Sequence, residues 1–157
     1  IPSVLEHKGI GVQLRSFNGL TDEFLKNLAQ QIEKNFPNEE VKLISLQDSL
    51  DVEVLKKFSS FGLKTKLYSG LTLDEIIKEV CTLEYLVGMR FHSSLVAVKS
   101  GVKVLGIDYD VKVEKLAGDV GFPLIKIGQE NLSEGFDTLM NLETKNYKIP
   151  EFVFPKI

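Results

Sequence analysis

The sequence is poor in cysteine and in histidine. Cys81 is the only cysteine, so no disulfide can form within the chain, which suits a reducing compartment. Because Cys81 ends a predicted helix beside Val80, we expect a small buried hydrophobe there rather than a reactive thiol. Of the two histidines, His7 lies outside every motif and is expected at the surface. No cluster of metal-ligating side chains is evident, so no metal is expected.

Long apolar runs and a strong charge of one sign are also absent. No stretch is long enough to cross a bilayer, and no signal peptide is evident. The formal net charge is −3 with both signs interspersed, so nucleic-acid binding through the overall field is not expected. The 157 residues suit one domain. Because the chain begins at Ile1 rather than at Met, we expect this domain to be part of a longer protein.

What is present is an alternation of apolar strands with amphipathic helices. Strands are predicted at residues 10–15, 41–45, 66–68, 83–87, 102–107 and 123–127. Helices of suitable length separate them, which implies right-handed crossovers. The pattern therefore predicts an α/β fold, with a doubly wound, mainly parallel sheet of about six strands and helices on both faces. In such folds ligands bind at the carboxyl ends of the strands, near the point where the strand order reverses.

Helix signals are clear at several places in the chain. Thr21 is a predicted N-cap, and residues 72–75 read as a capping box. The helix after this box should bury its apolar residues, which are Leu73, Ile76, Ile77 and Val80. A later helix is predicted over 93–100, with Gly101 as its left-handed C-terminal cap.

The turn after the predicted fourth strand carries a dense group of polar side chains. Gly88 ends the strand, and a helix begins a few residues later. Amides at a helix start lack internal partners and lie at the positive end of the dipole. Arg90 offers a planar fork for carboxylate or phosphate, and the proton of His92 can move near neutral pH. With hydroxyls and possible caps from Ser93 and Ser94, the turn predicts an anion-binding site.

A second arginine is expected at the same edge of the sheet. Arg15 ends the first predicted strand, as Arg90 follows the fourth. Judged alone, either could be a surface residue. Two arginines converging with His92 would suit a ligand that carries both carboxylate and phosphate. Asp108 and Asp110 precede a predicted helix, where capping explains them without a ligand.

These residues belong to a longer pattern. In chain order it reads Gly88-Met-Arg-Phe-His92, then Gly101-Val-Lys-Val-Leu-Gly-Ile107, then Tyr109-Asp-Val-Lys112-Val. Together the three segments resemble the C-terminal signature of polysaccharide pyruvyl transferases. The similarity runs from about Ile10 to Leu124. Leu46-Gln47 followed by Asp51 is similar to the family as well, but it is less distinctive.

The resemblance implies a glycosyltransferase-B-like enzyme of two Rossmann-type domains. Residues 1–157 would be the second, donor-binding domain, and alone it would be incomplete for catalysis. The family moves the enolpyruvyl unit of phosphoenolpyruvate onto two sugar hydroxyls, which forms a ketal and releases phosphate. Arg90 and His92 would be the catalytic residues. The substrate-binding residues that the resemblance implies are Arg15, Arg90, His92, Ser93, Ser94, Tyr109 and Lys112.

Several partners and alternatives follow from this resemblance. Phosphoenolpyruvate would be the donor substrate, with no cofactor, and the acceptor would be a glycan or a lipid-linked sugar. The protein would be cytoplasmic, at the inner face of the membrane, and an N-terminal domain would complete the cleft. His92 could act as general acid or as a donor to the phosphate. Tyr109 could simply pack its ring, and Lys112 could be solvated.

Two other functions remain open from the residues. A nucleotide-sugar glycosyltransferase or epimerase would bind a diphosphate at the same edge of the same fold. No acidic pair is clearly placed for ribose hydroxyls, which disfavours that function. A non-catalytic sugar-binding or anion-binding module could also keep this fold.

Overall fold

The computed structural model describes residues 6–128 and 131–150, which form one six-stranded sheet. Its strands are β1 Ile10–Gln13, β2 Val41–Ile44, β3 Thr65–Tyr68, β4 Tyr85–Gly88, β5 Lys103–Asp108 and β6 Leu124–Lys126. The order is β3-β2-β1-β4-β5-β6, and every neighbouring pair is parallel. The predicted fold class is confirmed.

Helices cover both faces of the sheet. They are α1 Asp22–Asn35, α2 Asp48–Ser59, α3 Leu73–Cys81, α4 Phe91–Lys99, α5 Val111–Val120 and α6 Leu132–Met140. One hydrophobic cluster joins α1, α2 and α6 to the sheet, and a second joins α3, α4 and α5 to it. Each fully buried Leu, Ile or Phe in these clusters stabilises the fold by about 1.5–3 kcal/mol. Cys81 is buried in the second cluster, as expected.

Local capping signals in the sequence are confirmed. The Thr21 hydroxyl accepts a hydrogen bond from the amide of Phe24 at 3.1 Å. In the Thr72–Glu75 capping box both bonds form, at 2.9 and 3.2 Å. Gly101 adopts a φ of +81° just after α4, the conformation that a left-handed cap requires.

Three details of the predicted elements are wrong. Leu73 is 42% exposed, because side chains in a first turn point back beyond the helix start. β1 ends at Gln13, so Arg15 lies two residues beyond the strand. α4 begins at Phe91 rather than at Ser93, because the chain is extended only as far as Arg90.

The strand order reverses between β1 and β4. Gln13 and Gly88, the last residues of the two strands, lie side by side in register. The segment that follows Gly88 therefore emerges at the point where open α/β sheets bind ligands. None of the described helices combines the length and apolar character that crossing a bilayer requires.

Candidate functional site

The start of α4 leaves its first amides open. Arg90 occupies the N-cap position in an extended conformation, and no side chain caps the helix. The first turn also has no acidic residue. An anion would stabilise this end of the helix, because the unpaired amides and the dipole are positive there. The predicted helix start after Gly88 is therefore present, and it has no side-chain cap.

The guanidinium of Arg90 is held by a buried carboxylate. Its Nη2 donates to Oδ1 of Asp51 at 2.7 Å, and the Arg90 side chain is only 16% exposed. Its Nε–H is buried and has no acceptor among the described residues. A buried donor without a partner costs about 1–3 kcal/mol, and more when it is charged. A hydrogen-bond acceptor placed at this Nε–H would therefore stabilise Arg90.

Asp51 comes from the first turn of α2, and its side chain has no exposed surface. Oδ2 accepts hydrogen bonds from the amides of Leu46 and Gln47, at 2.8 and 3.1 Å. The bond to Arg90 adds an ion pair, so both oxygens of Asp51 accept hydrogen bonds. A buried carboxylate needs such partners to offset the cost of burying its charge. The sequence pointed to Asp51 only through the family resemblance and gave it no role.

Gln13 joins Asp51 to the start of α4. Its Oε1 accepts from the amide of Arg90 at 2.9 Å, and its Nε2 donates to Oδ2 of Asp51 at 3.3 Å. The side chain is completely buried. Sequence reasoning missed this residue. The available signal was a polar side chain between Val12 and Leu14, inside a strand that is apolar on both faces.

The two serines of α4 lie inside the fold. The Ser93 hydroxyl donates to the carbonyl of Arg90 at 3.0 Å and lies 3.5 Å from Oε1 of Gln13. The Ser94 hydroxyl is buried and has no hydrogen-bond partner within residues 6–128 and 131–150. Neither serine caps the helix, because the helix has already begun at Phe91, so the expected capping role is wrong.

His92 lies in the first turn of α4, half-buried beside Phe91. The two rings meet edge to face, with centroids 5.5 Å apart. Burial lowers the pKa of His92, and the positive charges of Lys112 and Arg90 lower it further. The His92 imidazole therefore binds its proton less tightly than a free histidine does. Arg90 and Lys112 are thus two basic groups that both act on His92.

Arg15 and Tyr109 lie together beside this turn. The Arg15 guanidinium lies 5.5 Å from the centroid of the Tyr109 ring, within cation–π range. Phe17 meets the same ring edge to face at 5.6 Å. The Arg15 amide lies 3.5 Å from Sδ of Met89, the residue before Arg90. The structure therefore brings Arg15 to the same sheet edge as the Arg90 turn.

Lys112 and the nearby acidic residues lie at the start of α5. Lys112 is exposed, and its amide donates to Oδ1 of Asp110 at 2.9 Å. Asp110 is thus the helix cap that the sequence predicted. Burial raises the pKa of Asp108, and the Glu114 carboxyl beside it raises that pKa further.

Within the described residues, no group of three or more His, Cys, Asp or Glu side chains is placed to hold a metal ion.

The fold and the site together define a class of protein. It is a doubly wound α/β domain, and a helix that begins after an arginine and has no side-chain cap lies at the switch point of its sheet. The family model of the polysaccharide pyruvyl transferases matches residues 10–111. The chain belongs to that family. The matched segment includes Arg15, Arg90, His92 and Tyr109 and ends one residue before Lys112.

Comparison of the fold with solved structures agrees with the architecture. The chain is similar to the UDP-GlcNAc 2-epimerase of Methanocaldococcus jannaschii, whose crystal structure is a complex with UDP-GlcNAc and UDP. The TM-score is 0.69 at 17% sequence identity, over 96% of this chain and 43% of the epimerase chain. This likeness shows the fold alone. A comparison with curated proteins found no match.

Proposed function

We propose that the chain is the donor-binding domain of a polysaccharide pyruvyl transferase. It binds phosphoenolpyruvate, and its site transfers the pyruvyl group to a sugar of a cell-surface polysaccharide as a ketal. The observation that carries the proposal is Arg90, whose guanidinium is fixed by Asp51 while its buried Nε–H lacks an acceptor. An anionic ligand would supply that acceptor. Membership of the family supports the choice of ligand.

Phosphoenolpyruvate matches the chemistry of the site. It carries a planar carboxylate and a phosphate, and both accept strong hydrogen bonds from a guanidinium. Arg90 and the open amides of α4 would bind one group, and Arg15 would bind the other. Lys112 is placed to add a longer-range attraction, since its charge already acts on His92. Tyr109 would hold the Arg15 guanidinium by the contact described above.

The reaction needs a proton donor and a stabilised leaving group. One acceptor hydroxyl adds to C2 of the enol phosphate while a proton is delivered to the methylene carbon. A second hydroxyl of the same sugar then displaces phosphate from C2, which closes the ketal. His92 is the titrating group of the turn, and a bound dianion would raise its lowered pKa and protonate it. It would serve as the general acid or as the donor to the departing phosphate.

The partners of the site belong to the same proposal. The acceptor would be a glycan or a lipid-linked sugar, presented in the cytoplasm at the inner face of the membrane. The chain spans 43% of the length of the epimerase that it resembles. We propose that an N-terminal domain of the same protein supplies the other wall of the cleft and the acceptor site. Neither a cofactor nor a metal ion is required by this scheme.

A second candidate function is nucleotide-sugar binding. The observation in its favour is the epimerase of the same fold, which was crystallised with UDP-GlcNAc and UDP. Its diphosphate would also suit an open helix start. A non-catalytic anion-binding or sugar-binding module would have the same site without turnover.

Calorimetric titration separates the two ligands. Phosphoenolpyruvate should bind the chain more tightly than UDP-GlcNAc does. Arg90→Ala should weaken phosphoenolpyruvate binding about 100-fold, since charged hydrogen bonds of about 1.5–3 kcal/mol are lost. Lys115→Ala is the matched control, because Lys115 is an exposed cation of α5 that pairs with Asp119. Unchanged affinity in Arg90→Ala and His92→Ala would refute the site.

Turnover separates the enzyme from the module. The full-length protein should release phosphate from phosphoenolpyruvate when a glycan acceptor is present. His92→Ala should reduce that rate. A protein that binds phosphoenolpyruvate but releases no phosphate with any glycan acceptor would be a binding module.

A further inference from the structure

We infer that Asp51 and Gln13 are positioning residues, which fix Arg90 in one orientation before any ligand arrives. The inference rests on the proposed anion site, because it concerns the arginine at its centre. It adds two residues from other parts of the chain, since Gln13 ends β1 and Asp51 lies on α2. Neither residue contacts the ligand in this proposal. Both act through Arg90.

The burial of Asp51 is the first support. Its side chain has no exposed surface, so it cannot reach a ligand in the cleft. Its two oxygens are already occupied by the amides of Leu46 and Gln47, the amide of Gln13 and the guanidinium of Arg90. A carboxylate held by three other donors cannot turn to follow a mobile arginine. Arg90 must therefore take the orientation that Asp51 sets.

Gln13 fixes the other end of the same residue. Its Oε1 holds the backbone amide of Arg90, while Asp51 holds the guanidinium. Because its Nε2 donates to Asp51, its amide group cannot flip without losing both contacts. Arg90 is thus fixed at its backbone and at its tip by one connected network. Such prior order spares the ligand the entropic cost of immobilising a long side chain.

The chain allows a test of this order without any ligand. Arg15 and Arg90 are its two arginines, so a sample labelled with 15N-arginine gives two Nε–H signals. Arg15→Lys removes one signal and assigns both. The Arg90 signal should show a rigid side chain and slow hydrogen exchange, while the half-exposed Arg15 serves as the internal reference. In Asp51→Asn, the Arg90 signal should become mobile and exchange rapidly.

The reason for choosing asparagine is geometric. The Asn side-chain oxygen can still accept from the amides of Leu46 and Gln47, so the start of α2 keeps its contacts. Its NH₂ group would then face the Nη2 donor of Arg90, and two donors do not bond. An Arg90 signal that stays rigid in Asp51→Asn would overturn the inference.

A double-mutant cycle tests the consequence for binding. Asp51→Asn should weaken phosphoenolpyruvate binding about tenfold when Arg90 is present, and should have no effect in the Arg90→Ala background. A purely structural role would give the same loss in both backgrounds and would overturn the inference. Gln13→Met, which removes both amide contacts at similar volume, supplies a second cycle with the same expectation if Asp51→Asn does not fold.

Different results would refute the proposed function and the positioning role. A chain that does not bind phosphoenolpyruvate refutes the donor assignment, while the two arginine signals still decide whether Asp51 and Gln13 order Arg90. Normal binding together with a mobile Arg90 in the unmodified chain refutes the positioning role and leaves the donor assignment standing.

Discussion

The starts of α3 and α4 are built in opposite ways. α3 begins with a complete capping box between Thr72 and Glu75, and its first turn is acidic. α4 begins at an uncapped Arg90 and continues through His92 with no acidic residue in its first turn. Cations at a helix N-terminus are unfavourable, because they oppose the helix dipole. The start of α3 is capped by its own side chains, and the start of α4 has no side-chain cap.

This difference shows that the start of α4 is locally less stable than the start of α3. A helix start that opposes the dipole persists only when the surrounding structure supports it. At α4 that support is the buried network of Gln13 and Asp51, which are contributed by two other elements. The first turn of α4 has no side-chain cap, and the Nε–H of Arg90 has no acceptor among the described residues.

The largest change in stability is expected from substitution of Gly88, because β4 and α4 approach each other closely at this residue. A Cβ at this position would lie 3.0 Å from the Ser94 hydroxyl and 3.2 Å from a methyl group of Leu86. Both neighbours are fully buried, so a shift of either one would disturb the packing around it. Gly88→Ala should therefore lower the free energy of unfolding by about 2 kcal/mol, as measured by denaturant titration.

Gly118→Ala is the matched control for this substitution. Gly118 lies on α5, and a Cβ there would meet no atom within 4 Å. Because alanine is the better helix former, this change should raise stability by about 0.5–1 kcal/mol. Equal effects at the two glycines would show that the close approach of β4 and α4 does not matter.

The next largest effect is expected at the self-capped helix. Thr72→Ala removes the hydroxyl that accepts from the amide of Glu75 and should cost about 1 kcal/mol of stability. Affinity for phosphoenolpyruvate should not change, since α3 takes no part in the site. Thr72→Ser keeps the hydroxyl and should restore most of the stability. A loss of affinity in Thr72→Ala would contradict the separation of the two helix starts.

A smaller effect of opposite sign is expected inside α4. The buried hydroxyl of Ser94 has no partner in the described part of the chain, so Ser94→Ala should leave stability unchanged or raise it by less than about 1 kcal/mol. Ser93→Ala is the matched control. The Ser93 hydroxyl donates to the carbonyl of Arg90, so its removal should lower the stability. Thermal unfolding of the two variants gives the comparison. A larger loss in Ser94→Ala than in Ser93→Ala would show that Ser94 has a partner.

The sequence predicted most of the fold because its signals are local. The caps at Thr21 and Thr72 act within three residues of themselves, and the strand segments show in their own apolar runs. The prediction that Leu73 is buried was wrong for a related reason. Its apolar character suggested burial, but its place in the first turn points its side chain away from the core.

The site was harder to predict because its contacts are not local. Arg90, His92 and Arg15 could be recognised as candidates from their places after strands. The bond from Arg90 to Gln13 spans 77 positions, and the bond to Asp51 spans 39. No periodicity or spacing reports which distant side chains meet. The buried Gln13 in an apolar strand was a signal that a partner existed, but not which partner.

The smallest effect is expected from the proton on His92. Binding of a dianion beside His92 should raise its lowered pKa, so the complex takes up a proton. Affinity for phosphoenolpyruvate should rise about threefold, or about 0.6 kcal/mol, as the pH falls from 8 to 6.5. Calorimetry in buffers of different ionisation enthalpy counts the protons taken up. His92→Gln keeps a donor but cannot titrate, so equal proton uptake by this variant would contradict the role.

The same proton affects the ligand-free chain in the opposite direction. Because the pKa of His92 is lower in the folded chain, the unfolded chain binds this proton more tightly. His92 therefore costs no stability above pH 7, and the folded state loses stability as the pH falls through the unfolded pKa of about 6.5. Lys112→Ala removes one of the charges that lower the pKa, so the loss on acidification should shrink. Lys115→Ala, one turn further along α5, should leave it unchanged in thermal melts at pH 7 and pH 5.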